Sequence, residues 1–237
     1  MKYMGSKARI AKYILPIILK DRKPNQWYIE PFVGGGNMID KVVGLRQGYD
    51  IDKDVIQALN DIRLNCDKLP KNNKEFTEND YEYMRTDNKQ PFYGYVAYAL
   101  SYGGKKWGGW RRDKKGERDY VEEAYKNALR QQKLLPSILL TCSYDEIQLE
   151  PKSIIYCDPP YKSTTNYANN FDHEKFWQWC RDCSNEGHQV FISEYDAPCD
   201  FECIWQMEIC SSLTENTGSK KGIEKLFIYK GDKNYES

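Results

Sequence analysis

Trp27-Tyr28-Ile29-Glu30-Pro31-Phe32-Val33-Gly34-Gly35-Gly36 decides how this chain folds. Trp27 to Glu30 reads as a short buried strand, Pro31 ends it, and the glycines permit a turn too tight for residues with a Cβ. Asn37 is the expected cap of a short helix from Met38 to Val43. Gln47-Gly48-Tyr49-Asp50 reads as a second strand. Asp52 then caps a helix from Lys53 to Asn65, whose Val55, Ile56, Leu59 and Ile62 share one face. Strand, glycine turn, helix, strand, helix opens a parallel α/β sheet, because parallel neighbours need a crossover between them. Upstream, Ile10, Tyr13, Ile14, Ile17 and Ile18 recur at helical spacing and predict an amphipathic helix over Lys7 to Lys20, bent at Pro16.

Beyond residue 65 the rhythm stops. Residues 66–135 hold polar stretches, a Tyr-rich helix expected from Phe92 to Tyr102, the run Gly103-Gly104-Lys105-Lys106-Trp107-Gly108-Gly109-Trp110-Arg111-Arg112, and a helix from Tyr120 to Leu135. After Pro136 the alternation resumes, with strands at Ser137–Thr141, Ser153–Cys157, Gln189–Ser193 and Lys225–Tyr229 and a helix over Glu174–Asn185. The expected organisation is one discontinuous α/β domain, 1–65 and 136–237, interrupted by a different, mostly helical module at 66–135.

Composition narrows the function classes. The chain has 237 residues, with 35 Lys and Arg balanced by 35 Asp and Glu, so bulk charge does not draw it to a polyanion and any such attraction must be local. Nineteen tyrosines, six tryptophans and eight phenylalanines exclude a disordered chain. No apolar run approaches the ~20 residues of a membrane span, and no secretory signal opens the sequence, so a cytoplasmic protein is expected. Eight cysteines in such a chain are not a disulfide framework. Cys180, Cys183, Cys199 and Cys203 have a zinc-like spacing, yet Cys180 and Cys183 fall in a helical stretch without the tight turn a zinc knuckle needs. They are read as small core residues, and no metal is expected.

The residues that carry chemistry lie in Ile154-Ile155-Tyr156-Cys157-Asp158-Pro159-Pro160-Tyr161. An apolar strand ends in an acid, two prolines that fix φ and lack N–H donors, and an aromatic ring. Asp158 and nearby carbonyls are thereby set at the C-terminal edge of the sheet, where open α/β sheets bind ligands. A carboxylate and a carbonyl both accept hydrogen bonds, which suits a planar amino group with two hydrogens, and Tyr161 offers a face for a nucleobase. Asp50 lies fourteen residues after Gly36, where doubly wound folds place the acid that binds ribose hydroxyls. No phosphate-cradling lysine follows the glycines, so the expected cofactor is a nucleoside without phosphates.

With these residues in view, the chain resembles the Dam-type DNA adenine-N6 methyltransferases over nearly its whole length. Tyr3-Met4-Gly5-Ser6-Lys7 looks like the family's N-terminal motif, in which Tyr3 and Lys7 contact S-adenosylmethionine. Glu30, Pro31, Phe32 and Gly34 look like its cofactor loop, Asp50 its ribose acid, with Ile51 beside the adenine ring. Asp158-Pro159-Pro160-Tyr161 matches the catalytic tetrapeptide, whose Asp158 the resemblance also places against the cofactor. Before that motif the family places an acid–aromatic pair on the cofactor adenine; here the stretch is Cys142-Ser143-Tyr144-Asp145, a departure in which the acid is replaced by Ser143 or displaced to Asp145, and Tyr144 is the chosen contact. The resemblance implies a Rossmann-like S-adenosylmethionine-dependent sheet with S-adenosylhomocysteine as product, and Asp158, Pro159 and Tyr161 as catalytic residues. It also implies double-stranded DNA as partner, and it admits a cognate restriction endonuclease.

The inserted module is the expected DNA contact. From Ser101 to Leu135 ten basic residues stand against five acidic ones. Lys105, Lys106, Arg111, Arg112, Lys115 and Arg118 are expected on phosphates or guanine edges. Trp107 and Trp110, set among glycines, are expected to wedge into the duplex or fill the gap left by a flipped base. Cytosine N4 is the alternative acceptor on the same fold. A non-catalytic nucleic-acid-binding protein, and RNA or protein as acceptor, are the rivals from other classes.

Overall fold

The computed structural model describes residues 1–113, 115–161, 171–210 and 221–231, so Lys114 lies outside the described residues. A single 3-10 turn, Lys7–Arg9, leads into α1 (Ala11–Ile18), which keeps Pro16 inside it. Then follow β1 (Tyr28–Glu30), β2 (Arg46–Asp50) and α2 (Lys53–Asn65). The middle of the chain contributes α3 (Glu78–Thr86), α4 (Tyr93–Ala99) and α5 (Tyr120–Gln132). Next come β3 (Ile138–Thr141), β4 (Ile154–Cys157), α6 (His173–Asn185), β5 (Gln189–Glu194), β6 (Phe201–Cys210) and β7 (Lys221–Tyr229).

The strands form one sheet in the order β3-β2-β1-β4-β5-β7-β6. The first five run parallel, and β7 runs antiparallel to both β5 and β6. This is the Rossmann-like sheet expected from the sequence, with its order reversing at β1 and β4. A crevice opens at such a switch point beyond the carboxyl ends of the strands.

Period-two alternation assigns the two faces. Ile154 and Tyr156 of β4 join the cluster beneath α1, α2, α4 and α5, while Ile155 and Cys157 join the cluster beneath α6. Each buried isoleucine contributes about 2–3 kcal/mol by leaving water. The alternation continued past β4 aims Asp158 toward the α1 side. Segment 66–135 does not have a core of its own, because Tyr95, Val96 and Ala128 sit in the same cluster as Ile14 and Leu59. At Gly94 a Cβ would fall 2.1 Å from the Asp54 carbonyl oxygen, so α4 crosses α2 backbone against backbone.

Several expectations need correction. The helix expected over Met38–Val43 is one 3-10 turn, Ile39–Lys41, and Asn37 does not cap it; the Asn37 amide donates to the Met1 carbonyl instead. The helix expected from Phe92 begins at Tyr93, with Phe92 itself left-handed at φ 62°. β6 was not foreseen, although Phe201, Cys203, Trp205 and Met207 alternate in it. Pairing with β6 extends the last strand back to Lys221. Cys180 and Cys183 are buried on α6 beside Cys157, while Cys199 and Cys203 are exposed. Among the described residues no three His, Cys, Asp or Glu side chains gather as metal ligands, and no helix is long and apolar enough to cross a membrane.

Candidate active site

The ends of β2, β1 and β4, three neighbouring parallel strands, bring the sequence-chosen residues to one rim of the sheet. Asp50 closes β2, Glu30 closes β1, and Asp158 follows β4. The outer two strands stand about 10 Å apart, two interstrand spacings. Between them runs the glycine turn. Gly34, at φ 47°, donates its N–H to Asp50 Oδ2 at 3.0 Å. A Cβ on Gly34 would meet the Tyr3 ring at 2.8 Å, so the turn needs glycine both for its φ and for this approach.

Asp50 is buried, and its second oxygen accepts the Asp52 N–H at 3.0 Å. Burial pushes its carboxyl up to about 6, against the pull of these two N–H groups. The Ile51 N–H also bonds this carboxylate, which has about four lone-pair sites, so one remains for a hydroxyl donor. Ile51 beside it is 74% exposed, an apolar side chain without cover at the rim. Glu30 is buried and accepts the Tyr28 hydroxyl at 2.8 Å; burial raises it well above the usual carboxylate range. Pro31 is buried in the same turn.

At the other end of the rim, Lys7 Nζ lies 3.1 Å from Asp158 Oδ1 and 3.5 Å from Glu224 Oε2. It also stands 4.5 Å above the Tyr161 ring, whose hydroxyl donates to Glu224 Oε2 at 2.8 Å. Tyr195 meets the Tyr161 ring edge-on at 4.6 Å. Burial raises the Asp158 carboxyl above its ordinary range, Lys7 opposes that, and Glu224 adds to it. For Lys7, burial disfavours the charge, but the two carboxylates outweigh it and raise the ammonium. Pro159 is buried directly behind Asp158.

Glu224 was missed by sequence reasoning. It lies in Gly222-Ile223-Glu224-Lys225-Leu226, two residues before buried Leu226 and hence on the same side of β7. That period was the available signal, hidden because the expected strand begins at Lys225, four residues after the observed start at Lys221.

Phe32 and Tyr144 come together at 5.5 Å in a group that includes Phe171 and Phe176. Tyr144 is buried, and burial moves its phenol up to about 12. Tyr3 faces Tyr98 at 5.4 Å, and Tyr98 donates to Asp52 Oδ2 at 2.6 Å.

The donor set fits S-adenosylmethionine. Acids dominate the rim, and the turn carries no cation for a phosphate. A buried acid with a vacant lone pair stands beside an uncovered apolar side chain. Such a rim suits ribose hydroxyls, an adenine face and a cationic sulfonium.

The inserted segment departs from expectation. Lys106 pairs with Asp52 at 3.0 Å and Asp54 at 2.7 Å, next to Asp50. The tryptophans pack inward and do not project: Trp107 donates its indole N–H to the Tyr93 hydroxyl at 2.9 Å and meets Tyr81 at 5.0 Å, and Trp110 lies against Tyr81 and Phe76. Arg111 stacks on Tyr120 and stands near Glu123, Arg112 pairs with Glu78, and Arg118 pairs with Glu123. Lys105, Arg112, Lys115 and Arg118 are exposed.

A glycine turn flanked by acids at the ends of three neighbouring parallel strands is the arrangement of a Rossmann-like sheet. The chain belongs to the D12 class N6 adenine-specific DNA methyltransferase family, whose profile matches residues 3–204. It is therefore an S-adenosylmethionine-dependent enzyme that methylates adenine N6 in DNA. It is similar to the Type II methyltransferase M.MjaIII of Methanocaldococcus jannaschii, 26% identical over 283 residues that take in 98% of this chain and 93% of the relative. A solved structure, SMU.472 complexed with SAH, aligns with a TM-score of 0.41 at 8% identity over 94% of this chain. The chain spans about half the length of that protein, 54%.

Proposed function

We propose that Asp158 and the Pro159 carbonyl hold the two hydrogens of the adenine N6 amine, with Tyr161 beside the base, while Asp50, the Gly34 turn and Ile51 hold the nucleoside part of the cofactor. The observation that carries this is the placement of Asp158 and Asp50 at the rims of strands flanking β1, with the glycine turn between them.

S-adenosylmethionine supplies a methyl group on a sulfonium, a good leaving group. The amine of adenine is a poor nucleophile because its lone pair is delocalised into the ring. Two acceptors on its hydrogens favour a tetrahedral nitrogen, with the lone pair free for attack. Asp158 takes the proton that N6 releases and passes it to solvent. Most of the acceleration then comes from orientation and fixed charge. The base reaches Asp158 only when flipped out of the duplex.

Segment 66–135 is proposed as the target-recognition module, with Lys105, Arg112, Lys115 and Arg118 on the phosphates. The similarity to a Type II methyltransferase supports pairing with a restriction endonuclease in the cytoplasm. Incubation with tritiated S-adenosylmethionine and mixed duplex DNA, followed by nucleoside analysis and sequencing of modified sites, tests this. N6-methyladenine at one short sequence is expected. Label scattered without sequence preference would contradict the recognition role.

A further inference from the structure

We propose that Glu224 is a specificity-determining residue for the cofactor: with Asp158 it outnumbers Lys7 by one charge, and this excess makes the site prefer a cationic sulfonium over the neutral thioether that remains after transfer. The inference rests on the reading of this rim as the S-adenosylmethionine site.

Glu224 is 5% exposed and comes from β7, the antiparallel strand that supplies none of the residues named above for cofactor or base. Its Oε2 accepts the Tyr161 hydroxyl at 2.8 Å and lies 3.5 Å from Lys7 Nζ. Lys7 in turn reaches Asp158 at 3.1 Å and the Gly5 carbonyl at 3.5 Å. One ammonium thus serves two carboxylates.

Holding a tyrosine hydroxyl needs only an acceptor, and a neutral amide would do. A second buried carboxylate costs desolvation that a single lysine does not fully offset. The charge itself therefore calls for a partner, and a sulfonium supplies it. S-adenosylmethionine and S-adenosylhomocysteine differ by one methyl and one positive charge, so the excess acts on one and not on the other.

The surroundings do not cancel it. Around Lys7 and Asp158 stand Glu224 on β7, Tyr161 after β4, Tyr195 after β5, Tyr156 on β4 and Glu30 at the end of β1. The tyrosines are neutral at physiological pH, with Tyr156 and Tyr161 held well above their usual range chiefly by burial. Burial likewise keeps Glu30 toward its protonated form.

The test is calorimetric binding of S-adenosylmethionine and S-adenosylhomocysteine to the wild-type protein, Glu224→Gln and Glu224→Asp. Gln keeps an acceptor for Tyr161 and loses the charge; Asp keeps the charge and shortens the reach. Affinity of Glu224→Gln for S-adenosylmethionine is expected to fall about tenfold, and for S-adenosylhomocysteine by less than about twofold. Glu224→Asp is expected to keep the wild-type ratio of the two affinities. Equal weakening of both ligands in Glu224→Gln, or no change in either, overturns the inference. If Glu224→Gln does not fold, a changed ratio in Glu224→Asp overturns it and an unchanged ratio upholds it. Wild-type protein that binds neither ligand would overturn the cofactor reading itself, and this inference with it.

Discussion

Lys7 Nζ lies 3.1 Å from Asp158 Oδ1, joining the 3-10 turn ahead of α1 to the end of β4. The side chains are 9% and 22% exposed, so Lys7 is sequestered while Asp158 keeps an opening toward the rim. A lysine about 150 residues away in the chain thereby opposes the burial that raises the Asp158 carboxyl.

Lys7→Met removes the cation that holds Asp158 down. The Asp158 carboxyl, already raised by burial, rises further, and protonation then blocks it as an acceptor at higher pH. The acidic limb of the kcat–pH profile is expected to move up by about one unit or more. Loss of the buried partner is expected to cost about 3 kcal/mol in urea denaturation.

Asp50 is pushed up to about 6 by burial, and as the proposed ribose acid it accepts hydroxyls best when ionised. Affinity for S-adenosylhomocysteine, measured by calorimetry, is expected to fall about tenfold from pH 7.5 to pH 5, one unit below that value. The stability linkage has the opposite sense. Because the folded value exceeds the unfolded one, this group's contribution is full below the unfolded value and is lost as pH rises through about 6.

Lys105 and Lys115 are exposed, whereas Lys106 is neutralised by Asp52 and Asp54. Replacing both Lys105 and Lys115 by Ala is expected to reduce the slope of log K against log salt for duplex DNA by about 1.8. Lys106→Ala is expected to leave that slope within about 0.3 of wild type. Fluorescence anisotropy titrations over a salt series measure both.

Gly94→Ala puts a methyl 2.1 Å from the Asp54 carbonyl oxygen. The two helices must separate, at an expected cost of about 3 kcal/mol or more, read from the urea midpoint.

The parts of the fold legible in the sequence were those with local signals. The alternation through Ile154 and Cys157, the Asp52 cap and the spacing of Val55, Ile56, Leu59 and Ile62 each specify one element without help from the rest of the chain. The helix cap at Thr77, reciprocated by Asp80, was equally local and was overlooked. What could not be read was set by tertiary pairing. Glu224 becomes a site residue only because β7 slots between β5 and β6, and no local pattern announces that order. The tryptophans illustrate the converse. Flanking glycines suggested exposure, but the rings of Tyr81 and Tyr93, contributed by α3 and α4, draw Trp107 inward.

The most direct measurement compares wild type with Asp158→Ala in methyl transfer to duplex DNA. Calorimetric binding of S-adenosylhomocysteine and circular dichroism confirm that the variant is folded. The variant is expected to bind S-adenosylhomocysteine and to lose at least about a thousandfold in kcat. Near-normal transfer by Asp158→Ala would contradict the assignment of this carboxylate to the adenine amine.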